Sequence, residues 1–157
     1  MNSTTTDRYQ VCPIGAVQRT ESDIKLALLP PFRPGLLQLR HFSHVIVLWW
    51  ASQFDTETDR NRLQTTPPYA QERVTGVFAT RAPFRPNPIA LTTCQMLQID
   101  EEQGLITVHN IDAYDGTPIL DLKAYFPVSD RLKEAHLPPW LVDWPEWIPD
   151  EGLGIRS

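Results

Sequence analysis

The apolar positions of this chain fall in short runs separated by prolines and polar turns, and their period is closer to two than to 3.6. Residues 105–111 alternate, with Leu105, Ile106, Val108 and Ile111 set against Thr107, His109 and Asn110. Residues 44–51 (HVIVLWWA) form a continuous β-branched and aromatic run, the pattern of a strand buried on both faces. Residues 74–80, 89–99 and 119–125 complete the main strands, and residues 9–17 and 36–39 are shorter candidates. Many short strands with turn signals predict an all-β fold, a barrel or a sandwich.

Helical signal is sparse. Residues 129–136 (SDRLKEAH) open on a serine N-cap and stop before Pro138, which predicts one short helix. Residues 55–63 are polar and fit a short helix or a loop. Residues 137–157 carry Trp140, Trp144 and Trp147 among four prolines. They predict an irregular C-terminal strap that lies across the barrel and buries its indoles, or that joins two subunits.

At 157 residues the chain is expected to be one domain, with a core over residues 9–136 and the strap over 137–157. It holds 15 prolines and 7 glycines, so it favours stiff connections. The net charge of −5 is unevenly spread: residues 1–99 carry 10 basic and 7 acidic side chains, and residues 100–157 carry 4 and 12. No acid occurs over residues 24–54 or 73–99. An acidic chain is a poor general ligand for nucleic acid, so any RNA contact has to be local or completed by a second subunit. Cys12 and Cys94 have no ligand spacing and suggest reduced thiols in a cytoplasmic protein. His41, His44, His109 and His136 are scattered, and no metal is expected. His44, at the head of an apolar strand, reads as a hydrogen-bonded core residue before it reads as a base. The polar N-terminus and the shortness of the run 45–51 predict no signal peptide and no membrane span.

Residues 76–91, GVFATRAPFRPNPIAL, set Arg81 and Arg85 among Pro83, Pro86 and Pro88. Ala82, Arg85 and Asn87 each precede a proline, which pushes them towards extended backbone. A stiff loop holds its guanidinium forks before a ligand arrives, which lowers the ordering cost of binding a carboxylate or phosphate. Asp115-Gly116 is a strong hairpin signal. Asp121 and Lys123, two apart, share one face of a strand and form either an ion pair or a polar pair lining a pocket. The chain has no G-x-G-x-x-G after a strand and no P-loop.

The same run resembles the signature of the TsaA-like family, whose best-known members are TrmO-type tRNA methyltransferases. The family pattern is approximately GVFATRSPFRPNPIGLS, and this chain departs from it at Ala82, Ala90 and Thr92. Residues 112–127 (DAYDGTPILDLKAYFP) resemble the family's DLLDGTPVLDIKPYLP, with Ala124 where proline is usual. FSHVIVLWW over residues 42–50, Pro13-Ile14-Gly15 and Arg33-Pro34-Gly35-Leu36 match further blocks in family order.

The resemblance implies an antiparallel β-barrel that binds S-adenosyl-L-methionine, and a homodimer. It also implies transfer of a methyl group to an amine of threonylcarbamoyl-adenosine beside a tRNA anticodon. Implied cofactor contacts fall on Arg33, Pro34 and Gly35; on Ser52 and Gln53; on Arg81; on Leu91; and on Ala113, Tyr114, Asp115 and Gly116. Ser52 stands where the family often has histidine, and Arg33 where glutamine is usual. In this scheme Arg81 serves the cofactor carboxylate or the substrate. Asp115 with the carbonyls of Ala113 and Tyr114 accepts from ammonium and hydroxyl groups, and Leu91, which by itself reads as a core residue, lines the adenine slot. Arg85, Asp121 and Lys123 are the candidate catalytic residues, Arg85 or Arg81 holding the threonyl carboxylate. Two other readings fit the same residues: a binding module without turnover, and a methyltransferase for a small acceptor other than tRNA.

Overall fold

Alternation of side chains closes a sheet on itself in the computed structural model, which describes residues 7–70 and 72–149. The elements, in chain order, are β1 (Gly15–Arg19), β2 (Ile24–Leu28), β3 (His44–Trp50), α1 (Glu57–Asn61), β4 (Gln64–Thr65), β5 (Thr75–Gly76), β6 (Ile89–Asp100), β7 (Leu105–Val108), β8 (Pro118–Ala124) and α2 (Pro127–Asp130). Six strands form a closed antiparallel barrel in the order β1-β2-β7-β6-β3-β8, and β4 pairs with β5 in a separate ribbon. The all-β barrel expected from the sequence is the fold observed.

β3 pairs along its length with β6 and with β8, from His44↔Gln95 to Trp50↔Ile89 on one side and from Val45↔Ala124 to Trp49↔Ile119 on the other. Val45, Val47 and Trp49 point inward and are buried; His44, Ile46, Leu48 and Trp50 point outward. The run 44–51 is therefore buried on one face only, and the expectation of a doubly buried strand is corrected. Inside, Val17, Leu26, Ile106 and Ile119 are sealed from solvent, and Trp49 Nε1 donates to Thr92 Oγ1 (3.1 Å). Leu36 and Ile111, from connections rather than strands, join the same core.

Several local expectations change. Residues 9–14 lie outside β1, because Pro13 has no amide to offer a ladder. Residues 36–39 are not a strand: the prolines of Pro30–Leu36 wind it into a 3-10 helix, a second turn follows at Leu39–His41, and Gln38 between them has φ 71°. Residues 74–80 contribute only β5 before a 3-10 turn at Val77–Ala79. β2 (IKLAL) was not anticipated, although it alternates. The helix expected at 129–136 is one turn, α2, begun by Pro127; Asp130 Oδ2 accepts the Phe126 amide (2.7 Å), and the extended backbone of Arg131 (φ −104°, ψ 123°) ends it. The polar segment 55–63 holds α1, capped by Thr56 Oγ1 accepting from the Asp59 amide (3.1 Å).

The strap is irregular, but it does not bury its indoles. Trp144 is 42% and Trp147 63% exposed. Trp144 packs edge-on against Tyr69 (5.0 Å), Trp140 stacks with Arg73 (5.1 Å) and Trp147 with Arg131 (5.2 Å). The strap thus docks on the β4–β5 connection. Its final part, residues 150–157, lies outside the described residues.

Barrel closure is the tightest point. β1 meets β8 over two residue pairs, and a Cβ at Gly15 would lie 2.2 Å from the Ala27 carbonyl oxygen. Gly15→Ala is expected to cost about 2–3 kcal/mol, as overpacking against fixed backbone does. Gly104→Ala, at φ +71° but facing the flexible Arg33 side chain, should cost about 1 kcal/mol. Thermal melts of the two variants check the order. Cys94 offers a second test: burial, with Asp112 nearby, pushes its thiol up to about 12. Ellman's reagent at pH 8 should titrate one thiol, the exposed Cys12, in the native protein and both after denaturation.

Candidate functional site

Strand direction sorts the connections by barrel end. β3 runs up to Trp50, β6 starts beside it at Ile89, and β8 starts at Pro118 on its other side. The residues after β3, the residues before β6 and the residues before β8 therefore emerge at one end. Ser52 and Gln53 (in the 3-10 turn Ser52–Phe54), Arg81 and Arg85, and the segment Ala113, Tyr114, Asp115 and Gly116 all belong to this end.

Arg60, which no sequence motif flagged, ties the first two segments together. Its Nε pairs with Asp55 Oδ1 (2.5 Å), its Nη1 donates to the Pro86 carbonyl (3.0 Å), and its guanidinium stacks on outward-facing Trp50 (5.5 Å). Trp50 Nε1 also donates to Asp55 Oδ2 (2.9 Å). The Arg60 guanidinium and the indole N–H hold the Asp55 carboxyl below the ordinary range against the opposing effect of burial.

The proline-rich loop is braced from within. Arg85 Nε donates to the Ala82 carbonyl (3.0 Å), and Nη2 donates to the carbonyls of Val77 and Thr80 (2.9 Å each). Arg85, expected to meet a substrate, has most of its donors engaged by its own loop. Arg62 lies flat on Phe84 (4.0 Å), and Pro88 is buried with its carbonyl accepting the Ala51 amide (2.8 Å). Arg81 is exposed, and among the described residues its guanidinium has no partner. The loop is rigid and presents one unspent arginine.

Before β8 the chain turns at Tyr114-Asp115-Gly116-Thr117, where the Thr117 amide donates to the Tyr114 carbonyl (3.2 Å) and Gly116 has φ +76°. This is a turn but not a hairpin, because β7 and β8 are not neighbours in the barrel. Arg19 Nη1 donates to the carbonyls of Ile111 (2.9 Å) and Ala113 (3.1 Å), and the Arg19 amide donates to Asp115 Oδ1 (2.8 Å). Among the described residues the amides of Asp112, Ala113, Tyr114 and Asp115 have no acceptor. Ala113 is fully buried. A buried amide with no protein partner is uncommon in a folded chain. Burial raises the Asp112 carboxyl while the Arg19 charge lowers it.

The outer face of β8-β3-β6 carries three more predicted residues. Asp121 opposes Leu48, which opposes Leu91. Leu91, expected in the core, is 45% exposed, because alternation along β6 turns it outward. Lys123 Nζ lies 2.8 Å from Asp121 Oδ2, both exposed, and the carboxylate raises the ammonium above its ordinary value. His44, in the next row, is half-buried on this outer face, with Nδ1 2.7 Å from Ser43 Oγ, and is not a core residue.

Arg33, Pro34 and Gly35 do not join the others. Their 3-10 helix follows β2 and lies at the opposite end, beside the β6–β7 turn. Arg33 Nη1 donates to the Glu102 carbonyl (3.0 Å), and its stem lies where a Gly104 side chain would go. A Cβ at Gly35 would meet nothing within 4 Å, so no tight bend demands that glycine. No group of three or more metal-ligating side chains occurs among the described residues.

These features define a small β-barrel whose connections bearing Arg81 and the amides of residues 112–115 emerge at one end. The chain matches the model of the tRNA-methyltransferase O N-terminal domain over residues 1–131 and belongs to that family. It is 37% identical over 125 residues to a Methanocaldococcus jannaschii protein described as a probable S-adenosyl-L-methionine-binding protein, covering 79% of this chain and 95% of that one. An Archaeoglobus fulgidus S-adenosyl-L-methionine-binding protein is 33% identical over 136 residues, with 78% and 93% covered. The crystal structure of TrmO from Pseudomonas aeruginosa superposes with a TM-score of 0.67 at 28% identity, covering 87% of this chain and 63% of that one. A second Archaeoglobus relative, 34% identical, is matched over only 30% of its length.

The Asp55–Arg60 clasp has a pH signature. A carboxyl held low in the folded state stabilises fully above its unfolded pKa, near 3.9, and loses that contribution as pH falls through the folded value. Asp55→Asn should therefore be less stable than wild type at pH 7, and the gap should close below about pH 4. Urea unfolding at the two pH values measures it.

Proposed function

We propose that this chain binds S-adenosyl-L-methionine at the loop-rich end of the barrel. We further propose that it transfers the methyl group to the amine of threonylcarbamoyl-adenosine beside a tRNA anticodon. What supports the reading is that the segments bearing the unspent Arg81 and the partnerless amides of residues 112–115 leave the sheet at the same end of the barrel. The donor set fits the ligand: a guanidinium for a carboxylate, amides for adenine or ribose acceptors, the Asp115 carboxylate for ammonium or hydroxyl groups. Membership of the tRNA-methyltransferase O family and relatives described as S-adenosyl-L-methionine-binding point the same way.

When bound, the cofactor supplies an electrophilic methyl on a sulfonium. The chain's own contribution is alignment, which can supply several kcal/mol of a two-reactant barrier, about 7–11 in the best cases. Arg85 and Arg60 keep the proline-rich loop in one shape, so Arg81 meets its carboxylate without paying to order the loop. Leu91 and Leu48 supply an apolar surface beside Asp121, and Asp121 accepts a hydrogen bond from the acceptor amine while Lys123 keeps it oriented. Residues 60–85 carry five arginines and one acid, a local positive field suited to an RNA backbone on an otherwise acidic protein.

A homodimer belongs to the same proposal. Arg33, Pro34 and Gly35 lie at the far end of their own barrel, so a second copy is the route by which they reach the site. The exposed apolar residues Ile89, Leu91 and Leu97 of β6 offer a surface for it.

Calorimetry with S-adenosyl-L-methionine should show binding that Arg81→Ala weakens by about tenfold, the worth of one charge-assisted contact, with the melting temperature unchanged. Nucleoside mass spectrometry of tRNA from cells with and without the gene should show loss of methylated threonylcarbamoyl-adenosine. Cofactor binding with an unchanged tRNA profile would leave a binding module or a small-molecule methyltransferase.

A further inference from the structure

Arg19 sits at the end of β1, remote in sequence from every segment of the proposed site. It bonds residues 92–96 positions away, its Nη1 donating to the Ile111 and Ala113 carbonyls and its backbone amide to the Asp115 carboxylate. Three bonds from one residue pin the start, the middle and the far side of the loop.

The consequence lies in the peptide planes. In a trans peptide the carbonyl of one residue and the amide of the next point in opposite directions. With the Ile111 and Ala113 carbonyls turned onto one guanidinium, the amides of Asp112 and Tyr114 must each face away from it. Both are among the amides that have no acceptor among the described residues. A loop satisfying only itself would have spent them. The strand behind Arg19 is already fastened, since the Gly116 amide donates to the Val17 carbonyl and the Val17 amide to the Thr117 carbonyl (2.8 and 2.9 Å). The Arg19 bonds are therefore not needed to seat β8 on β1. The charge of Arg19 also opposes the burial that raises the half-buried Asp112 carboxyl, which lies between the two carbonyls it holds.

We infer that Arg19 is a positioning residue. It aims the amides of Asp112 and Tyr114 at the acceptor atoms of the bound nucleoside, and so sets cofactor affinity without touching the cofactor. This rests on the reading of the site as one for S-adenosyl-L-methionine.

Two measurements on the full chain test it. The first is amide hydrogen exchange by NMR without ligand, for wild type, Arg19→Ala and Arg19→Lys. The second is calorimetry of the same proteins with S-adenosyl-L-methionine. Arg19→Ala should speed exchange at residues 112–116 and raise Kd by about tenfold, as expected when a supporting shell is removed. Protection in β3 and β6 should stay native. Arg19→Lys, which keeps the charge without the planar fork, should fall between the two. Should Arg19→Ala also loosen the barrel, Arg19→Lys with native protection in β3 and β6 decides: weakened binding supports the inference and wild-type affinity overturns it. Wild-type affinity in an intact Arg19→Ala protein overturns the inference and leaves the cofactor reading standing. A wild-type protein that binds no S-adenosyl-L-methionine removes both.

Discussion

Closure of the barrel at Gly15 is the constraint on which the rest depends. β1 and β8 share only a short ladder, and β1 must also lie against the backbone of β2 at a distance no side chain permits. Closing there removes the last open edge of the barrel sheet. It also brings the loop before β8 under the end of β1, where Arg19 can reach it, and places β3 between β6 and β8. The residues after β3, before β6 and before β8 then leave the sheet at one end because the three strands alternate in direction.

At that end the arginines are divided by use. Arg60 clasps the 3-10 turn and α1 to the proline-rich loop, Arg62 packs on Phe84, Arg85 holds three carbonyls of its own segment, and Arg19 holds the loop before β8. Each satisfies carbonyls or covers an aromatic face that would otherwise be loose in an irregular backbone. Arg81 remains. Rigidity built from spent guanidinium groups surrounds one that is unspent, an arrangement that suits ligand capture because the ordering cost is met during folding.

Individual residues show how far the primary structure could be read. Proline spacing and the Asp-Gly turn announced the two loops. The pair Asp121 and Lys123 lies on one face, as their spacing requires. Leu91 was read as core and is not, because the hydrophobic run gave no sign of which face of β6 turns inward. Arg85 and Arg81 look alike along the chain, and only the folded loop distinguishes the bracing arginine from the free one. Arg33-Pro34-Gly35 match a family block apart from Arg33, yet β2 runs away from the site and carries them to the far end. Arg60 and Arg19 had no local signal for the loops they brace, since the carbonyls they hold lie 26 and more than 90 positions distant.

The amino-acid sequence by itself determined the class of fold, the stiffness of the proline-rich segment and the chemical types gathered for binding. Alternation, ring-locked φ angles and turn residues act within a few positions of one another. Barrel closure, the inward or outward sense of each strand, and the division of arginines between bracing and binding were decided only in three dimensions. They depend on which carbonyls, rings and backbones from remote segments come within a few ångströms, and no local pattern encodes that proximity.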